Sequence, residues 1–265
     1  MPATSPFSLD NRTIAVIGAG SGIGEAVAVA CAAQGARVVC IDISAEQAER
    51  VSAQMASSGA QARARVCDVC DSAAVATVLD DANAWAGRLD GVVCTPGINV
   101  RKPIMAYTDE EFDRVLRVNM KGNFNVLRAA GRVLTAQGRG SIVLFSSIRS
   151  QVVEPGQSVY ASTKAAIVQM ARAGAAEFAS LGVRVNALAP GVVETPLTAP
   201  IKANPDWYDA YAARSALKRW ASPQEMAWPT VFLLSDAASY VTGSCLIVDG
   251  GWLAVDGRFD PPGMG

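Results

Sequence analysis

In the stretch "SVYASTKAAIVQM", residues 158–170, Tyr160 and Lys164 stand four apart where a polar lead-in becomes an apolar helix. Positions i and i+4 share a helix face, so this spacing sets a phenol beside an ammonium. A nearby cation favours the phenolate and lowers a tyrosine pKa from its ordinary value near 10. A general acid/base works best when its pKa lies near the working pH. The chain has no histidine, and the pair is a candidate for moving a proton to or from an alcohol oxygen. A bare Y-x-x-x-K also fits a half-buried aromatic beside a solvated amine, so the surrounding chain must decide.

A second constellation is "GAGSGIG", residues 18–24, between a short apolar β-branched run, "TIAVIG" (13–18), and an Ala-rich helix that closes near Gly35. Strand, glycine turn and helix in that order let a backbone approach a pyrophosphate at a helix N-terminus. Gly18, Ser21, Gly22, Ile23 and Gly24 are the candidate contacts. Asp42 ends the next apolar run, 18 residues beyond Gly24. A carboxylate there accepts hydrogen bonds from both ribose hydroxyls and repels a 2′-phosphate. Ser21 and Ile43 offer no cation to rescue such a phosphate, so the expected cofactor is NAD over NADP. Asp42 could instead cap the helix that follows, although Ser44 already suits that role.

The elements that must position these groups alternate along the chain. Strand-like runs are 13–18, 37–42, 62–68, 89–97, 140–147, 183–190 and 244–251. Helical stretches lie between them at 23–36, 44–59, 72–87, 108–138, 157–180 and 222–236, with 108–138 being one long helix or two abutting ones. Apolar, non-alternating strands between helices imply a parallel sheet covered on both faces. The expected fold class is α/β, a single doubly wound Rossmann domain over 1–265 with a seven-stranded sheet. Ligands bind such sheets beyond the carboxyl ends of the strands.

Bulk properties narrow the partners. The 265 residues carry 23 basic and 24 acidic side chains without long runs of one sign, which disfavours nucleic acid and anionic membrane surfaces. No apolar run approaches the roughly 18–20 residues of a membrane span, and the first residues lack a signal-peptide pattern. A cytoplasmic enzyme is expected. Five of the six cysteines lie in or beside apolar runs. The lone "CDVC" at 67–70, with no histidine, gives no case for a metal.

With these residues in view, the chain resembles the short-chain dehydrogenase/reductase family from about residue 12 to 252. The glycine turn, "CDV" (67–69), "VNMKG" (118–122), "SIVLFSS" (141–147), "YASTK" (160–164), "RVNALAPG" (184–191) and "YVTGSCLIVDGG" (240–251) carry the likeness in order. The resemblance implies that Tyr160 is the catalytic acid/base, Lys164 its partner, and Ser147 the hydroxyl that holds the substrate oxygen. It makes Asn119 the residue that disturbs its helix to hold a relay water. Asp68 and Val69 become adenine contacts, and Gly97, with Tyr160 and Lys164, borders the cofactor. Pro190, Gly191, Val193 and Thr195 hold the nicotinamide carboxamide. Two departures stand out. Ile17 replaces the usual threonine before the turn, and "CTPG" (94–97) replaces Asn-Asn-Ala-Gly, whose amides brace the central sheet.

For the small-molecule substrate, Arg101 and Arg149 are the candidates. Either could fork onto a carboxylate or bond sugar hydroxyls, and either could be a surface salt bridge. The stretch around Arg101 is similar to gluconate 5-dehydrogenases and related sugar-acid members. A lid is expected at about 192–220, rich in Trp207, Tyr208, Tyr211 and Trp220, which could equally be packing residues. The leading expectation is an NAD-dependent dehydrogenase of a sugar, sugar acid or polyol. The alternatives are a 3-oxoacyl-thioester reductase and a non-catalytic NAD(H)-binding sensor. The resemblance further implies a homo-oligomer, dimer or tetramer, packed through the helices of 108–138 and 157–180 and through the last strand. The tail at 253–265 either frays or crosses a neighbouring subunit, the second being slightly preferred.

Overall fold

A computed structural model describes residues 5–256 and Gly263. Its seven strands are β1 (Thr13–Ile17), β2 (Arg37–Asp42), β3 (Ala62–Val66), β4 (Gly91–Cys94), β5 (Gly140–Phe145), β6 (Val183–Pro190) and β7 (Cys245–Val248). All pair in parallel, in the order β3-β2-β1-β4-β5-β6-β7. The expected α/β doubly wound sheet is therefore present. The strand order reverses between β1 and β4, with connections leading away on either side, which opens a crevice at that point.

The helices are α1 (Gly22–Ala33), α2 (Ala45–Ser57), α3 (Ser72–Ala86), α4 (Asp109–Leu116), α5 (Asn123–Gln137), α6 (Ser158–Phe178), α7 (Ala199–Lys202), α8 (Pro205–Arg214) and α9 (Pro223–Leu234). Side chains alternate across each strand, so Ala15 and Ile17 face a core built with α3, α5 and α6, whereas Ile14 and Val16 face one built with α1, α2 and α9. Burial on both faces explains why the strands read as continuous apolar runs.

Register sets the site. Ile17 pairs with Ile41 on one side and Cys94 on the other, so Gly18, Asp42 and Thr95 leave the sheet side by side. Several strands stop earlier than the sequence suggests. Asp68 lies beyond β3, and Ser146 and Ser147 lie beyond β5, although Ser146 N still donates to the Leu188 oxygen of β6 at 2.8 Å. They become crevice loops instead. The stretch 108–138 is one continuous helical path with a wide π-helical turn, Arg117–Gly122, between α4 and α5. Thr108 opens it with a reciprocal capping box to Glu111.

The lid comprises a 3₁₀ turn (Pro196–Thr198), α7 and α8, and a parallel bridge between Val193 and Ala221 closes its base. Its aromatics form a third, smaller core in which Tyr211, Trp220 and Ile201 pack with Ile148 and Trp252. The expected course of the C-terminal tail falls largely outside the described residues.

Candidate active site

The glycine turn shapes one wall of a cleft of about 460 Å³ beyond β1, β2 and β4. Gly18 and Gly22 adopt positive φ, 81° and 55°, which side chains rarely tolerate. A Cβ at Gly24 would sit 1.9 Å from the Gly18 oxygen, so only glycine lets α1 start against β1. Ser21, the N-cap of α1, makes no side-chain capping bond. The first N–H groups of α1 are left for an anion, and the helix dipole favours one there. Asp42 stands across the turn, with Oδ2 accepting from Gly20 N at 2.8 Å and Oδ1 from Ser44 N at 3.0 Å. Ser44 itself caps α2 through Gln47 N, so Asp42 ties the turn rather than the helix. These residues fit a dinucleotide, with the pyrophosphate on α1 and an adenosine ribose at Asp42.

Asp68, Val69, Gly97, Ile23 and Thr195 line the same cleft, together with Thr95, Pro96, Val118 and Leu197, which sequence reasoning did not single out. Thr95 answers the question raised by "CTPG". Its hydroxyl donates to the Ile17 oxygen at 2.9 Å and lies 3.4 Å from the Gly18 oxygen, bracing β4 to the turn without the usual amide. Pro190 ends β6 and Val193 is buried beside Ala221. These two shape the backbone next to the cleft and do not line it, whereas Gly191 borders the adjoining cavity.

That cavity, about 280 Å³, holds Ser147 and Tyr160 together. A hydrogen bond from Ser147 and the charges of Arg149 and Arg101 favour the Tyr160 phenolate, but burial outweighs them and raises the phenol above its ordinary value. Besides Lys164, which the sequence pairs with this phenol, the two arginines add positive charge facing it. Lys164 Nζ lies 5.4 Å from the Tyr160 ring centroid and donates to the Phe145 oxygen at 2.9 Å. Burial lowers its own pKa to about 8, because removal from water disfavours the charged form. Lys164 is thereby an amine that gains and loses a proton near neutral pH.

Asn119 lies within the π-helical turn and is fully buried. Its side chain accepts from Ile98 N and donates to Ile98 O, each at 2.9 Å, and donates to Thr163 Oγ1 at 3.1 Å. Thr163 in turn donates to the Tyr160 backbone carbonyl at 2.7 Å. The amide therefore pins the loop after β4 to the turn of α6 that carries Tyr160. Its backbone oxygen accepts from Asn123 Nδ2 at 2.8 Å. Gly97 lies where these parts meet, since a Cβ there would stand 3.2 Å from Lys164 Nζ.

Arg101 and Arg149 both reach the cavity. They meet there on Glu154, a residue the sequence reading missed. Each guanidinium pairs with one of its carboxylate oxygens. Tyr211, from α8 of the lid, donates to both oxygens at 2.5 and 2.6 Å, and Gln157 donates at 2.5 Å. Burial would raise the Glu154 carboxyl, but hydrogen bonds from Arg101 and Tyr211 and the Arg149 charge hold it below its ordinary value. The lid aromatics are also more than packing. Trp207 lies 4.8 Å from the Arg101 guanidinium, and Arg149 lies beside the touching rings of Tyr211 and Trp252, 6.0 and 5.5 Å from their centroids. A lone acid in "QVVEPG", close to two arginines only after folding, is the weak signal that marked Glu154.

Comparisons with known proteins agree with this geometry. A family model described as enoyl-(acyl carrier protein) reductase matches residues 18–253. Galactitol 2-dehydrogenase (L-tagatose-forming) of Cereibacter sphaeroides is 40% identical over 249 residues, covering 93% of this chain and 96% of that protein. D-threitol dehydrogenase of Mycolicibacterium smegmatis is 36% identical over 246 residues, covering 93% and 94%. The crystal structure of a gluconate 5-dehydrogenase from Burkholderia cenocepacia in complex with NADP and tartrate superposes with a TM-score of 0.91 at 33% identity, over 94% and 98% of the two chains. The likeness spans nearly the whole chain, and the chain belongs to the short-chain dehydrogenase/reductase family, NAD(P)-dependent oxidoreductases acting on alcohol groups.

Proposed function

We propose that the protein is an NAD-dependent dehydrogenase that interconverts a secondary alcohol and its ketone on a sugar, sugar acid or polyol. One observation carries this reading: a single cavity joins Ser147 and Tyr160 to Arg101, Arg149 and Gln157. Those polar groups suit the hydroxyls of a small molecule.

When bound, NAD accepts or gives the hydride. The chain's own residues do the rest. Ser147 holds the substrate oxygen by its hydroxyl and Tyr160 takes or returns the oxygen's proton. Lys164, with a pKa of about 8, carries that proton onward and binds ribose hydroxyls. Asn119 positions α6 and the loop after β4. Pro190, Gly191, Val193 and Thr195 form the backbone wall against the carboxamide. Asp42 favours NAD, since its carboxylate bonds hydroxyls and opposes a 2′-phosphate.

Exposed Phe112 and Phe124, on α4 and α5, support packing as a homo-oligomer through these helices, the tetramer being the preferred state. Among the described residues no helix is long and apolar enough to cross a membrane, and a cytoplasmic location suits the reading. Turnover with NAD and NADP, measured across polyols, aldonates and acyl-thioester ketones, tests the proposal. Oxidation of a polyol or aldonate with NAD supports it, and NADP-dependent reduction of acyl-thioester ketones alone overturns it.

A further inference from the structure

Glu154 fills the place where a substrate carboxylate would meet the two arginines, and the structure assigns it the role of selecting neutral polyols and ketoses over aldonates. This inference rests on the function proposed above and names the substrate class of that same site.

Three features of the cavity lead there. First, both forks are already turned to a carboxylate. Arg101 and Arg149 each pair with Glu154. The ring of Trp207 covers one guanidinium, and the paired rings of Tyr211 and Trp252 lie against the other. Arg149 is 7% exposed, so its pairing is buried and not a rim contact. A second carboxylate seeking either fork would have to displace Glu154 or stand beside it, where the two guanidiniums, already half neutralised by Glu154, attract it far less than open forks would.

Second, the hydrogen-bond polarity of the wall calls for donors from the ligand. A carboxylate only accepts hydrogen bonds, so Gln157 must present its Nε2 to Glu154, as it does at 2.5 Å. The Gln157 oxygen is then turned to Asn99, which gives its Nδ2 at 3.3 Å. This relay leaves the Asn99 side-chain oxygen buried without a partner, on a residue that borders the same cavity. An unpaired buried acceptor is costly. A ligand hydroxyl placed at this position satisfies it, and a carboxylate placed there cannot. Hydroxyls also accept, so they complement the N–H groups of Arg101 that Glu154 and Tyr211 do not take.

Third, Glu154 joins the lid to the site. Tyr211 on α8 donates to it, and Ser147 and Arg149 lie on the segment after β5 that leads to it. The acid therefore acts through the arginines and the lid as a specificity-determining residue, without touching the reacting carbon.

The test measures kcat and KM of the purified enzyme with NAD for galactitol, sorbitol and mannitol against galactonate, gluconate and mannonate. For the best-used carbon configuration, the hexitol exceeds its hexonate in kcat/KM by at least about tenfold, chiefly through KM. The hexonate inhibits hexitol oxidation only at concentrations at least about tenfold above the hexitol KM. Glu154→Gln shifts the hexonate-to-hexitol ratio toward the hexonate by about tenfold or more, whereas Glu154→Asp keeps the wild-type preference. Should Glu154→Gln not fold, the wild-type ratio and the inhibition constant decide alone. A wild-type enzyme that prefers hexonates, or a folded Glu154→Gln enzyme with an unchanged ratio, overturns this inference and leaves the proposed function standing. Failure to use any hexitol or hexonate, with turnover of an acyl-thioester ketone, removes the proposed function and this inference together.

Discussion

Replacing Lys164 by Met abolishes turnover and makes the protein more stable. Lys164 is 3% exposed, and burial holds its pKa at about 8 against an ordinary 10.5. At about 1.4 kcal/mol per pH unit, the charged form destabilises the folded chain by about 3 kcal/mol at pH 7. The hydrogen bond from Nζ to the Phe145 oxygen, at 2.9 Å, returns about 1 kcal/mol of that. Met has similar length and no charge, so the net gain is about 2 kcal/mol. For a chain of this size that raises the melting temperature by about 4–8 °C. The pH dependence has a fixed sign. Below about pH 8 the amine is protonated in both the folded and the unfolded chain, and the penalty is complete. As pH rises toward 10.5 only the unfolded chain stays charged, the penalty shrinks, and above 10.5 it disappears. Thermal unfolding of both proteins between pH 6 and 10.5, with NAD-dependent turnover measured alongside, checks each part. A Met variant no more stable than wild type at pH 7, or a gain that grows with pH, would refute the reasoning.

Two further substitutions probe the cofactor cleft. Asp42→Asn keeps an acceptor for Gly20 N and removes the charge. Two unit charges about 4 Å apart at an effective dielectric near 20 interact by about 4 kcal/mol. The half-buried position screens part of this, so the NADP-to-NAD ratio of kcat/KM rises by about 10–100-fold, and an unchanged ratio would show that Asp42 does not set cofactor choice. Thr95→Val removes the brace to the Ile17 oxygen, lowering stability by about 1 kcal/mol and raising KM for NAD more than it lowers kcat. Chemical denaturation and cofactor titration report the two effects separately.

Local features were legible in the sequence and distant ones were not. The glycine turn and Asp42 lie within one strand–turn–helix–strand unit, where spacing alone fixes which groups meet. Tyr160 and Lys164 share a helix face for the same reason. Their i, i+4 spacing does not reveal burial, so the direction of the pKa changes emerged only when α6 was packed against β5. Glu154 draws partners from 53 and 57 residues away, Arg101 and Tyr211, and no periodicity links those positions. Thr95 escaped notice because a hydroxyl does the work expected of an amide, by bonding a backbone oxygen across the sheet. The wide turn at Arg117–Gly122 left 108–138 readable as helix while hiding the register change that aims Asn119 at Ile98 and Thr163.

The central claim is that the Tyr160 hydroxyl moves the proton that accompanies hydride transfer. Tyr160→Phe removes that one atom and leaves the ring, the cleft and Asp42 in place. Turnover with NAD and the best polyol should fall by about 10²–10⁴-fold, while NADH binding, followed by its fluorescence, stays within about threefold of wild type. A Phe variant that binds NADH normally and still turns over at a tenth or more of the wild-type rate would contradict the account.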